Sequence, residues 1–178
     1  MVLLNSITLS GVLRCVSEFE ELTGRFYDDL SKKFTSKSLS VVFKWISRES
    51  FNHAMLMKDL INLLELPSSG ADCSEVIGEP WFIIDKLRKK VLEAHVIDLG
   101  TLNELLSSMR ELEDFVGEET YGKILYPAVN SLLSDLGSNS KEKMRLILIS
   151  DVLKEVAVEE EYHEKLIKLI TELLKETQ

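Results

Sequence analysis

Two short stretches of the chain place acid and imidazole one helical turn apart. In EEEYH, residues 159 to 163, His163 follows Glu160 by three positions; in ESFNH, residues 49 to 53, His53 follows Glu49 by four. Residues three or four apart share a helix face, so each stretch offers carboxylate oxygen and imidazole nitrogen side by side. Their surroundings are apolar. His163 lies seven positions from both Val156 and Ile170, and Glu160 lies four after Val156 and seven before Ile167. Glu49 is three after Ile46 and seven before Leu56, with His53 one turn beyond, while Glu20 is four after Val16 and seven before Tyr27. All five are therefore expected to face inward. An ionised carboxylate buried alone costs several kcal/mol, so each acid needs a cation, a proton or a hydrogen-bond network. Two histidines and several glutamates on neighbouring helices are the inventory for two hard cations bridged by carboxylates, with one imidazole each. The alternative is a metal-free core in which the acids are protonated or paired with the histidines, for example His53 with Glu160.

Long amphipathic helices are needed to carry such residues inward. Val12, Val16, Phe19, Phe26, Leu30 and Phe34 recur at three and four, predicting a first helix over 12–34. A second runs from about Leu39 to Leu64, and the short TSKS turn at 35–38 makes the two an antiparallel hairpin. Met55, Met57 and the leucine stripes read as core. Thr101-Leu-Asn-Glu104 is a capping box that opens a third helix, expected to run to about Leu136 and stop at Gly137. Asn139 is expected to cap the fourth, which carries Ile149, Val152, Val156, Leu166, Ile167 and Ile170. Between the hairpins, residues 66–100 hold Pro67, Gly70, Gly78 and Pro80, long enough to cross a bundle and to form an extra helix over Trp81–Ile97. The expectation is an all-α, single-domain four-helix bundle over 1–178, with one long crossover. The two hairpins, with their similar histidine stretches, suggest an internal duplication.

Thirty acidic against 21 basic residues give a formal charge of −9, a field that repels phosphate backbones and anionic lipid. Neither nucleic acid nor membrane is expected as a partner. Cys15 and Cys73 are 58 positions apart and form no CxxC, so they cannot assemble a zinc ribbon or a rubredoxin-type iron centre. Reduced thiols in a cytoplasmic protein are expected. The opening MVLLNSITLSGVLRC lacks a basic leader and is shorter than a membrane span. His95 reads as surface, and KLRKK at 86–90 as a solvated face.

AVEEEYHEK at 157–165 resembles the fourth helix of the rubrerythrins, ferritin-like di-iron carboxylate proteins whose pattern there is AVAEEFHEK. GEETYGKILYP at 117–127 is similar to that family's third-helix segment through Glu118, Tyr126 and Pro127, Glu20 with Tyr27 resembles its first helix, and His53-Ala54 its second. The family's helix-two glutamate falls on Ser50 and its second helix-three glutamate on Tyr121, so Glu49 is expected to fill in for the former, and Glu119 is an alternative to Glu118. The resemblance implies a site of Glu20, Glu49, His53, Glu118, Glu160 and His163 holding iron, two ions or one, with manganese or zinc also suited to these donors. It further implies a homodimer, and peroxide or oxygen reduction of the peroxidase or ferroxidase type. The resemblance covers the helical part of that family and not its rubredoxin domain, so such chemistry is expected to draw on an external electron donor. The competing class is a metal-free, degenerate ferritin-like bundle acting as an interaction or regulatory module.

Overall fold

The computed structural model describes residues 9–128 and 140–176, apart from the side chains at 99, 114, 118, 119, 140–142, 145 and 176. Every described element is helical, and no strand occurs among the described residues. The chain divides into two compact units, Met1–Leu105 and Leu106–Gln178.

The first unit is built on a helical hairpin, α1 (Leu9–Ser31) and α2 (Lys37–Leu63). Small residues let the two backbones approach closely. Ser17 Oγ donates to Ala54 O at 2.8 Å, and Ser47 Oγ to Gly24 O at 2.8 Å, pairs that run in opposite order along the two helices. A Cβ on Gly24 would stand 3.1 Å from Ser47 O and 3.2 Å from the Phe51 ring, so the residue there has to be glycine or the helices must part. Phe26, Tyr27, Phe34 and Phe43 close the turn end, with successive ring centroids 5.2 to 6.2 Å apart. Leu13, Leu30, Ile46 and Met57 fill the rest of this buried seam. Met55, expected in the core, is 61% exposed, because it lies two positions, a little over half a turn, from the inward Met57.

The crossover is stitched onto α1. Its helices are α3 (Cys73–Ile77), capped by Asp72 accepting from Ser74 N at 2.9 Å, and α4 (Glu79–Glu93). Gly78, at φ +76°, makes the sharp bend between them that no other residue adopts easily. Ser10 Oγ donates to Pro67 O at 2.5 Å, and Arg14 donates to Ala71 O. Farther along, Arg88 meets Asp29 at 3.0 Å and Lys33 Nζ donates to Ala94 O at 2.7 Å. The extra helix thus ends four residues before the expected Ile97, and a short helix precedes it. Cys15 and Cys73 form a disulfide, with Cα atoms 4.9 Å apart. The expectation of reduced thiols is overturned, and the cytoplasmic reading loses the thiols it rested on. No described helix is long and apolar enough to cross a membrane.

The third long helix starts earlier than expected. Asp98, not Thr101, caps it: its Oδ1 accepts from Thr101 N at 2.7 Å, and that hydrogen bond holds the Asp98 carboxyl below its ordinary range. Glu104, freed from a capping role, pairs with Lys90 at 2.5 Å. This helix, α5 (Leu99–Asp114), leads into an eleven-residue π-helix, Phe115–Leu125. In the second unit the π-helix packs on the C-terminal helix α6 (Ser140–Glu176), 37 residues long. Arg110 reaches Glu164 at 2.7 Å and Lys154 Nζ lies 4.9 Å over the Tyr126 ring, so the pair runs antiparallel. Leu153, Val156 and Ile167 of α6 are buried, as the periodicity requires, whereas Val152 is 43% exposed. The expected stop at Leu136–Gly137 and the Asn139 cap lie outside the described residues.

Candidate metal centre

In the second unit, α5 and α6 bring two carboxylates to one imidazole. His163 Nδ1 is 3.4 Å from Glu160 Oε2 on its own helix and 3.5 Å from Glu113 Oε2 on α5. All three residues are buried, at 0%, 2% and 2% exposure, and one donor atom from each lies within 4.8 Å of the other two. Glu160 and His163 stand where the three-residue spacing placed them. Glu113 does not figure in the expected set, although its position four after Met109 and three before Val116, both buried, carries the same inward signal.

Glu113 lies on the last turn of α5, and the π-helix begins just after it. A π-helix bonds i to i+5 and takes more residues per turn than an α-helix, so the inward face drifts along it. Inward positions then cannot be counted through Phe115–Leu125 at the α-helical period. Glu118 and its alternative Glu119 lie outside the described side chains, while Tyr121, at the family's second glutamate position, is fully buried. Gly117 fits the same geometry from the other side. A Cβ there would stand 3.0 Å from Glu160 Cβ, so only glycine lets the π-helix come this close to the ligand-bearing turn of α6.

The electrostatics of the trio follow from burial. Loss of water pushes the Glu113 carboxyl up to about 7, helped by the neighbouring Glu160 charge and opposed by His163. Burial alone would lower His163, but its hydrogen bonds and charge interactions with Glu113 and Glu160 outweigh that and raise it to about 10. At neutral pH the imidazole is therefore held protonated between two carboxylates, and the Glu113 carboxyl is held toward its neutral form. Two oxygens and one nitrogen, all buried and convergent, are the donors that iron, manganese and zinc accept.

The first unit holds its own acid–imidazole pair. His53 Nδ1 lies 3.6 Å from Glu20 Oε1, both buried, on the facing sides of α2 and α1. Glu49 is half-buried rather than inward, though one of its oxygens comes within 4.8 Å of a His53 nitrogen. The inner position beside His53 belongs to Ser50, which is 1% exposed. Sequence spacing allowed either face because Glu49 and Ser50 are adjacent and the apolar stripe of α2 is broad. His95 is exposed, and Arg88, Lys89 and Lys90 of the basic run are engaged in surface ion pairs. No family model, no curated protein and no solved structure matches the chain.

Proposed function

We propose that the chain is a metal-binding helical protein of the rubrerythrin-like kind, with Glu113, Glu160 and His163 as the ligands of a divalent transition metal. What carries this reading is the convergence of three buried ionisable groups from two helices onto one point. Proteins do not ordinarily bury two carboxylates beside an imidazole without a compensating charge, and a divalent cation supplies it. With iron bound, the ion would supply the electrons for peroxide or oxygen reduction. The protein's part would be to hold it, neutralise its charge with Glu113 and Glu160, and fix the imidazole of His163 between them. Glu20 and His53, the acid–imidazole pair of the first unit, are by themselves the candidates to hold a second ion.

The test is metal content by mass spectrometry, on protein purified without chelator and again after anaerobic iron(II) loading. We expect one or two metals per chain, a raised Tm on loading, and loss of one equivalent in Glu113→Gln. Unchanged stoichiometry in Glu113→Gln and in His163→Ala would overturn the assignment. A second reading has a specific observation behind it: with His163 protonated and the Glu113 carboxyl held toward its neutral form, most of the trio's charge is offset without a cation. On that reading the chain is a metal-free helical interaction module, and iron(II) leaves its Tm unmoved.

A further inference from the structure

Helix α2 turns a cationic and apolar strip outward in a chain that is otherwise acidic. Residues 32–48 hold five basic residues and no acid. Lys37, Val41, Lys44, Arg48, Asn52 and Met55 are exposed, Val41 at 67% and Met55 at 61%, and Trp45 stands at their edge at 38%. At 3.6 residues per turn these seven fall within an arc of about 100°, opposite the buried side at Ile46, Ser50 and Met57. Among the described residues, Lys37, Lys44 and Arg48 take part in no ion pair, whereas Arg14, Arg25, Lys32 and Lys58 of the same hairpin each reach an acid. The first acid on the strip is Asp59, about 16 Å beyond Arg48 along the helix. Glu49 is more than a quarter-turn off the strip and half-buried beside His53. The strip begins at the positive end of α2, whose first turn holds no acid and whose N-cap, Ser36, makes no side-chain cap.

We infer that this face of α2 lies on an anionic lipid surface, with its three cations among the headgroup phosphates and Val41, Trp45 and Met55 at the acyl boundary. Unpaired cations interleaved with exposed apolar side chains are the composition of an interfacial helix. A nucleic acid would neutralise the cations and leave Val41 and Met55 in water. A protein partner covers about 800 Å² per side, and a strip about 27 Å long and 10 Å wide offers a third of that. A lipid surface sets no such minimum, because each cation near it strengthens partitioning about fivefold. The charge of −9 weighs against this partner only as a whole-chain total. Salt screens charges beyond about 8 Å, and the α1 acids Glu21, Asp28 and Asp29 are already paired with Lys58, Lys32 and Arg88. The inference is independent of the metal reading.

The test is co-sedimentation of the full chain with vesicles of phosphatidylcholine, pure or mixed with about one-third phosphatidylglycerol. Trp81→Phe leaves Trp45 as the sole tryptophan reporter, and circular dichroism confirms the fold of each variant. We expect binding to the mixed vesicles and not to the pure ones, a blue shift of Trp45 emission, and release in about 0.5 M salt. Lys37→Gln with Lys44→Gln and Arg48→Gln should weaken partitioning about 100-fold. Lys86→Gln with Lys89→Gln and Lys90→Gln, the same change of charge on α4, should weaken it by less than about threefold. Absence of binding to the mixed vesicles overturns the inference. So does equal binding to both kinds of vesicle, equal loss in the two triple variants, or an unshifted Trp45. Capture of a single-stranded oligonucleotide or an acidic peptide through Lys37, Lys44 and Arg48, with vesicles ignored, overturns it in favour of that partner.

Discussion

His163 sits between two carboxylates, and the proton inventory of that trio makes the protein's response to pH depend on whether metal is present. Glu113 is raised from 4.5 to about 7, so its contribution to stability is complete below about 4.5 and is lost as pH rises through about 7. His163 is raised from 6.5 to about 10, so its contribution is complete below about 6.5 and is lost as pH rises through about 10. Both act in the same direction. Metal-free protein should therefore lose stability, on the order of a few kcal/mol, between pH 6 and 9, read as a falling midpoint in urea unfolding. Metal must displace the same protons, so the apparent affinity should climb with pH, about tenfold per unit for each proton released. A metal-free midpoint that rises over this range would contradict the assigned protonation. At this scale the sequence was legible where spacing from buried neighbours is enough, as for Glu160, His163, Glu20 and His53. Glu113 carries the same signal from Met109 and Val116, but the resemblance drew attention to Glu118 instead, and no pattern of residue types announces the π-helix in which Glu118 falls.

Among the elements, the π-helix is the one whose form the site depends on. Gly117→Ala would push a methyl group to 3.0 Å from Glu160 Cβ, a buried and inflexible neighbour. We expect a loss of about 1–3 kcal/mol from this overpacking, along with weakened metal binding as Glu160 is displaced. Gly122→Ala is the control. Its nearest neighbour is Gly117 O at 3.4 Å, an ordinary contact, so it should be neutral or stabilise by up to about 1 kcal/mol through helix propensity. Equal losses in both variants, measured by thermal unfolding, would mean that Gly117 matters only as a flexible residue. The hairpin of α1 and α2 was readable from the sequence to within three residues at each end, since a 3.6-residue period, a short polar turn and strong apolar faces all agree. Helix starts were less so. Thr101 and Asp98 are both good caps, and only the backbone path decides which oxygen meets the free N–H.

For the whole chain, the disulfide is the feature that composition could least reveal. Two cysteines 58 positions apart carry no motif, and only the return of the crossover along α1 brings them together. Closing a loop of that length stabilises by about 4 kcal/mol on chain-entropy grounds, with measured cases near 2–5. Reduction, or Cys15→Ala with Cys73→Ala, should therefore lower the urea midpoint by an amount corresponding to about 2–4 kcal/mol. No change would mean that the hydrogen bonds from Ser10 and Arg14 hold the crossover unaided. The bond also makes a covalent ring of the chain from Cys15 to Cys73, with all of α2 inside it. The exposed turn between α1 and α2 lies on that ring. A protease cutting there opens the ring without releasing either piece, and the severed helices stay at high effective concentration, able to find each other again. Such a nick would pass unseen on a non-reducing gel and show as two fragments only after reduction.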